Sequence, residues 1–415
     1  MKKLISSIVI VLIVSMSSMG ITNAFSYSNN SDTKASTQAT SNGYGLQWMK
    51  EYGNSPWTDA RYQGPQPIGD CDNDGKNELL ISGRDCTIRV MKWYENNQTY
   101  SQVYALHPPF YPFKLCSAGG MAIGDVTNDG KNEIAATWYT TVYKYSAAKY
   151  RIIGVNPYIF FHNGGSSDCL IGDCDNDGKN ELILSGSGYG STSPVGQITV
   201  FKWNGLYLKR VVEWKDPQAN GNVFMAGLGD VDDDGENEIV CAYENKLMVL
   251  NLDAQNKVFI PTEISIQYHG QEFPFGVVCK DCDNDGKAEI LLSYCDFTER
   301  NDPRITIFKW NGTGYPIQFD IRWPGGEPVI EGIDVGDTDD DGLNEVCAGA
   351  GVTHILQWNG TTYVEEAVLP TFGWMAVVCI GDCDNDGKNE INAGNVDVES
   401  GQQFTEWVFK YGWNT

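Results

Sequence analysis

Residues 70–78 read DCDNDGKNE, and the pattern they spell, D-x-D-x-D-G-x-x-E, returns six more times: DVTNDGKNE from Asp125, DCDNDGKNE from Asp173, DVDDDGENE from Asp230, DCDNDGKAE from Asp281, DTDDDGLNE from Asp337 and DCDNDGKNE from Asp382. Successive copies begin 45 to 57 residues apart. One supersecondary module is therefore repeated seven times, with its insertions placed in the connections.

Outward from each loop the chain has the character of short strands. An aliphatic residue follows the final Glu at once and opens runs such as LLISG after Glu78, LILSG after Glu181 and ILLSY after Glu289. Further on, VMKWYENNQTY, TVFKWNGLY, TIFKWNGTGY and HILQWNGTTY place an aromatic residue ahead of a reversal. With the apolar lead-in to each loop, as in FGVVCKD and GWMAVVCIGD, this makes about four strands per module and nothing of helical period. The predicted fold is all-β, a seven-bladed propeller of four-stranded blades, which manages its sheet edges by closing into a ring. The last module stops at FKYGWNT, short of an outer strand, while Asn42 to Lys50 resembles the segment that follows W-N-G elsewhere. The N-terminal strand is predicted to complete the last blade.

The loop carries the oxygen donors that calcium takes, six to eight at ~2.3 to 2.6 Å. Side-chain oxygens come from position one (Asp70, Asp125, Asp173, Asp230, Asp281, Asp337, Asp382) and position three (Asp72, Thr127, Asp175, Asp232, Asp283, Asp339, Asp384). Position five adds Asp74, Asp129, Asp177, Asp234, Asp285, Asp341 and Asp386, and position nine adds Glu78, Glu133, Glu181, Glu238, Glu289, Glu345 and Glu390. Position seven (Lys76, Lys131, Lys179, Glu236, Lys287, Leu343, Lys388) is assigned a backbone carbonyl, which explains its tolerance of any side chain. Up to seven calcium ions are expected, with the Thr127 site the weakest. An EF-hand is excluded because its last ligand stands at position twelve between helices. Solvated Asx-rich turns are the plain alternative, but four acids in nine residues repel one another without a cation, and a solvated turn has no need to repeat one spacing seven times.

Met1-Lys2-Lys3, an apolar run from Leu4 to Val14 and small residues at Thr22-Asn23-Ala24 make residues 1–24 an export signal, cleaved or kept as an anchor. Residues 25–43 have the Ser/Thr/Asn content of a tether, and 44–415 form the propeller. The mature chain has no apolar stretch of bilayer length. A net charge of -25 removes long-range attraction to nucleic acid. A secreted or cell-surface location follows, with oligomeric state open. The twelve Cys leave a disulfide question open; Cys71, Cys174, Cys282 and Cys383 alternate with Val and Thr at loop position two, as small buried side chains would. Trp93, Trp203, Trp310 and Trp358 share one repeat position and are assigned to blade packing, Asn97, Asn311 and Asn359 head glycosylation sequons, and the four His share no position.

An acidic D-x-D-x-D-G-x-x-E loop in each blade, with Phe275-Gly276 and Phe372-Gly373 nearby, resembles the FG-GAP repeat of integrin alpha-chain propellers and related secreted VCBS-type proteins; the Gly-Ala-Pro half of that motif is not intact. The resemblance implies structural calcium and a binding or adhesion role toward an extracellular protein or glycan. A propeller lectin and a lyase of the rhamnogalacturonan lyase type are the alternatives. No catalytic residue is assigned, because no nucleophile–base pair or open metal site stands outside the loops. Residues 104–118 and 186–196, the least repeat-like, are the candidate ligand face.

Overall fold

The computed structural model describes residues 41–55, 66–83, 85–109, 120–156, 163–189, 194–216, 223–267, 272–296, 302–324, 327, 329–397 and 401–413. All lie in the compact unit Ser36–Thr415. The export segment, residues 25–40 of the tether and parts of both candidate ligand-face stretches fall outside the described residues.

Seven antiparallel sheets of four strands make up the fold, and no helix occurs among the described residues. The first blade runs Ile68–Gly69, Glu78–Gly83, Thr87–Tyr94 and Thr99–Leu106, in that order across the sheet. In the seventh, Trp374–Gly381, Glu390–Asp397 and Phe404–Tyr411 are followed by Tyr44–Gly53, with Tyr44 opposite Tyr411 and Gly53 opposite Phe404. The expected propeller and its N-terminal latch are both present.

The strand after the loop is buried along its whole length in Glu78–Gly83, Glu238–Tyr243 and Glu289–Asp296, because a blade has neighbours on both faces. That is why these strands are continuous apolar runs instead of alternating ones. Outer strands such as Val258–Ser265 are largely exposed. One apolar cluster fills each gap between blades: Leu80, Ile88 and Val90 meet Met121, Ile134 and Tyr143 between the first two, and Leu79, Ile81 and Met91 meet Cys383 and Val408 where the seventh returns to the first. Each large aliphatic side chain so buried contributes about 1.5–3 kcal/mol.

The inner strands close the ring through a glycine that ends them. A Cβ on Gly69, Gly124, Gly336 or Gly381 would stand 2.9 to 3.3 Å from Ile123, Ile171, Ile380 or Ile68 of the next blade, so a side chain there would push the blades apart. The fifth blade has Lys280 at this position, and its ammonium instead donates to Asp334 Oδ1 (2.6 Å) and the Val335 carbonyl (2.9 Å) of the sixth.

Eleven cysteines lie among the described residues, all of them buried. Cys71, Cys174, Cys282 and Cys383 are fully buried in the gap to the next blade, as are Val126, Val231 and Thr338 at the same position. The Trp pattern has the same origin: within their own blades Trp93, Trp310 and Trp358 pack on Tyr100, Tyr315 and Tyr363, which stand in or just before the outer strand, with ring centroids 4.8 to 4.9 Å apart.

Candidate cation-binding loops

Each acidic loop joins an inner strand to the fully buried second strand. Position four takes a left-handed backbone, φ 60° at Asn73, and position six another, φ 87° at Gly75; Asn or Asp and Gly fill these two positions throughout because they tolerate that conformation best. The curl turns backbone N–H groups inward. In the first loop Asp70 accepts from the N–H of Asp74 (3.0 Å) and of Gly75 (2.9 Å), and Asp74 Oδ1 accepts from the N–H of Lys76 (3.0 Å). The pair made by position one recurs in the second, third, fourth, fifth and seventh loops. In the sixth, Asp337 takes the N–H of Asp340 in place of that of Asp341.

Position nine is fully buried in all seven loops. Its Oε2 accepts from the position-two N–H, at 3.0 Å in Cys71–Glu78 and 2.8 Å in Thr338–Glu345; in the second loop Thr127 N–H replaces it at 3.1 Å. The other oxygen points into the loop. There, in the first, third, fourth and fifth loops, it meets oxygens of positions one and three, all within 4.8 Å of one another, and in the second loop those of Asp125 and Asp129. The expected carboxylates do converge. Position seven supplies its N–H to position five, and in Lys287 and Lys388 the side chain reaches back to the preceding loop, to Asp233 and Asp340.

A lysine at the end of the third strand, or for Lys309 directly after it, enters the carboxylate set in five of the seven loops. Lys92 Nζ lies 2.8 Å from Asp72, 2.5 Å from Asp74 and 3.0 Å from Glu78. Lys202 repeats this with Asp175, Asp177 and Glu181 at 2.6, 2.6 and 3.1 Å, and Lys410 with Asp384, Asp386 and Glu390 at 2.5, 2.8 and 2.6 Å. Lys309 binds Asp283, Asp285 and Glu289, and Lys144 binds Asp129 and Glu133, with Thr127 Oγ1 at 3.3 Å. The strand ladder sets these meetings: Glu390 faces Lys410 directly, and Lys92 follows Met91, which faces Leu79. At the same register the fourth blade has Asn251 and the sixth Gln357.

The electrostatics divide accordingly. Lys144 beside Asp129 and Lys202 beside Asp177 hold those carboxyls below their ordinary range. In the fourth and sixth loops burial and neighbouring aspartates instead push Asp232 and Asp339 up. Burial raises Glu238 to about 8, against the Val231 N–H and with the help of Asp232, and raises Glu345 to about 7. It raises Glu390 to about 7 as well, even with Lys410 opposing it, so the contrast between loops lies at positions three and five.

Positions four and eight join the loops to one another. Asn73 Oδ1 accepts the N–H of Asn132 (2.8 Å), Asn73 Nδ2 donates to the Asn132 carbonyl (3.0 Å), and Asn132 Nδ2 donates to the Asp70 carbonyl (2.9 Å). The same three bonds link Asn128 to Asn180, Asn176 to Asn237, Asn284 to Asn344 and, across the closure, Asn385 to Asn77. The two junctions with Asp at position four, Asp233 and Asp340, use the lysine pairs with Lys287 and Lys388. Neither the third-strand lysines nor these asparagines stood out in the sequence. The signals were there: Lys before the aromatic turn residue in KW, and Asn repeated at positions four and eight.

The described histidines stand apart from the loops. His354 pairs with Glu365 at 2.7 Å and packs on Trp323, and His107 bonds the Cys86 carbonyl at 3.3 Å.

No family model matches the chain, and no curated protein matches it in sequence. Among solved structures it is similar to one described as BBS1N in complex with ARL6DN, with 14% identity over 88% of this chain and 97% of that one and a TM-score of 0.57. At that identity the likeness establishes a shared propeller fold.

Proposed function

We propose that the protein is an exported calcium-binding propeller of the FG-GAP kind, serving as a binding or adhesion module for an extracellular protein or glycan, with calcium in a structural role. The observation that carries this is the use made of the acidic loops. Their carboxylates bind loop backbone, bind third-strand lysines or converge on one point, and the asparagines beside them tie blade to blade. A cation held there would stiffen the scaffold, while chemistry on a bound substrate would need an open coordination position. Where carboxylates converge without an ammonium, the oxygen-only donor set fits a hard cation such as calcium, which would neutralise the cluster. BBS1N, similar in fold, is in complex with another protein, so protein partners come first in the test.

Chelator should lower the melting temperature of the purified protein, and added calcium should restore it. A melt unchanged in excess chelator would remove calcium from this assignment. Immobilised matrix proteins and a glycan array should yield saturable binding. Glycan binding alone would make it a lectin, and unsaturated products released from pectic polysaccharide would make it a lyase.

A further inference from the structure

We infer that only the fourth and sixth blades take a divalent cation, and that Lys92, Lys144, Lys202, Lys309 and Lys410 occupy its place in the other five. This rests on the calcium assignment above and sharpens it to individual loops.

The five lysines put an ammonium where a metal would sit. Lys92, Lys202 and Lys410 each reach three carboxylate oxygens within 3.1 Å, at positions three, five and nine; in the first and third loops positions three and nine also belong to the set that converges with position one. An ammonium and a metal ion cannot share that point, and a divalent ion would first have to expel a lysine that is already paired. Lys410 is itself nearly buried, with 6% of its side chain exposed, so it has little solvent to retreat into.

The fourth and sixth loops are built differently. Among the described residues no lysine or arginine forms an ion pair with Asp230, Asp232, Asp234 or Glu238, nor with Asp337, Asp339, Asp341 or Glu345. Glu238 and Glu345 are both 0% exposed, and Oε1 of each has neither a hydrogen-bond partner nor the ammonium that stands 2.9 to 3.1 Å from Oε1 of Glu78, Glu181 and Glu289. Oδ1 of Asp232 is buried without a partner, as is Oδ1 of Asp72 and Asp175, but in those two loops the other carboxylate oxygen is paired with lysine. A buried, unpaired carboxylate oxygen is costly, and these point into a cluster of further carboxylates. Where siblings carry lysine, Asn251 and Gln357 offer a neutral carboxamide; Gln357 Nε2 reaches only to 3.5 Å from Asp341 Oδ2. A half-turn of the amide presents an oxygen, the donor a hard cation takes.

The test is a count of calcium ions bound by the purified, chelator-stripped protein in a calorimetric titration. Two ions per chain are expected. Asn251→Lys and Gln357→Lys should each reduce the count to one, and the double variant should melt at the same temperature with and without chelator. Lys92→Gln, which copies the sixth blade, should raise the count to three, and it keeps the test open if a lysine variant fails to fold. Seven ions in the unaltered protein, or two in Asn251→Lys, would overturn the division among blades and leave calcium binding intact. No bound ion at all would overturn the calcium assignment and this inference with it.

Discussion

Asp168 shows how a single position is shaped by its neighbour. It lies on an inner strand, 1% exposed, and a Cβ on Gly120 of the preceding blade would fall 2.0 Å from its Oδ1, so glycine is needed there to seat the carboxyl. Burial pushes its pKa to about 7, with only the Cys169 N–H opposing. A carboxyl raised in the folded state adds stability that is complete below its unfolded value near 4 and is lost as pH rises through about 7. In chelator, the melting temperature should therefore fall between pH 5 and 8, and Asp168→Asn should flatten that slope and raise the melt at pH 8. An unaltered slope would show that the carboxyl is solvated. Nothing in the sequence marks Asp168, since it stands outside the repeated pattern and its environment comes from another blade.

At the scale of the loop, the asparagine bonds turn seven local turns into a continuous belt. Asn73→Ala removes two hydrogen bonds to the second blade and leaves Ala at φ 60°, for a loss of about 2 kcal/mol. Lys287→Ala breaks a pair whose side chains are half exposed, and should cost well under about 1 kcal/mol. Denaturant melts of the two variants check the ranking; equal losses would mean that the asparagines do no more than shape their own turn. The repeat made the loop, its ligand positions and the four-strand module legible, because those depend on residues close in sequence. The lysines were hidden because they arrive from a different strand: 18 residues separate Asp74 from Lys92, 15 separate Asp129 from Lys144, and 26 separate Asp384 from Lys410. Spacing within the loop cannot register a partner whose distance varies with the turns between strands.

The whole ring depends on a strand from the opposite end of the chain. Tyr44–Gly53 covers the edge of Phe404–Tyr411, a strand buried along all but its last residue. It also reaches both adjoining blades. Tyr44 Oη shares a 2.8 Å hydrogen bond with Thr338 of the sixth, the contact that Tyr150 and Tyr100 make with Cys71 and Cys383 at their own junctions. Gln47 donates to Asp384 Oδ2 at 2.6 Å and accepts from Tyr100 of the first blade at 3.1 Å. Removal of residues through Gly53 should lower the melting temperature by several degrees. It also bares an unpaired strand edge, so the truncated protein should dimerise or aggregate as it is concentrated. A synthetic peptide of Tyr44–Gly53 supplied in trans should restore both the monomer and the melt, and the same peptide with Tyr44→Phe should restore them less well. Light scattering and thermal melts on the three samples decide it: a truncated chain that stays monomeric and melts with the full chain would show that six complete blades and a three-stranded seventh close the ring unaided.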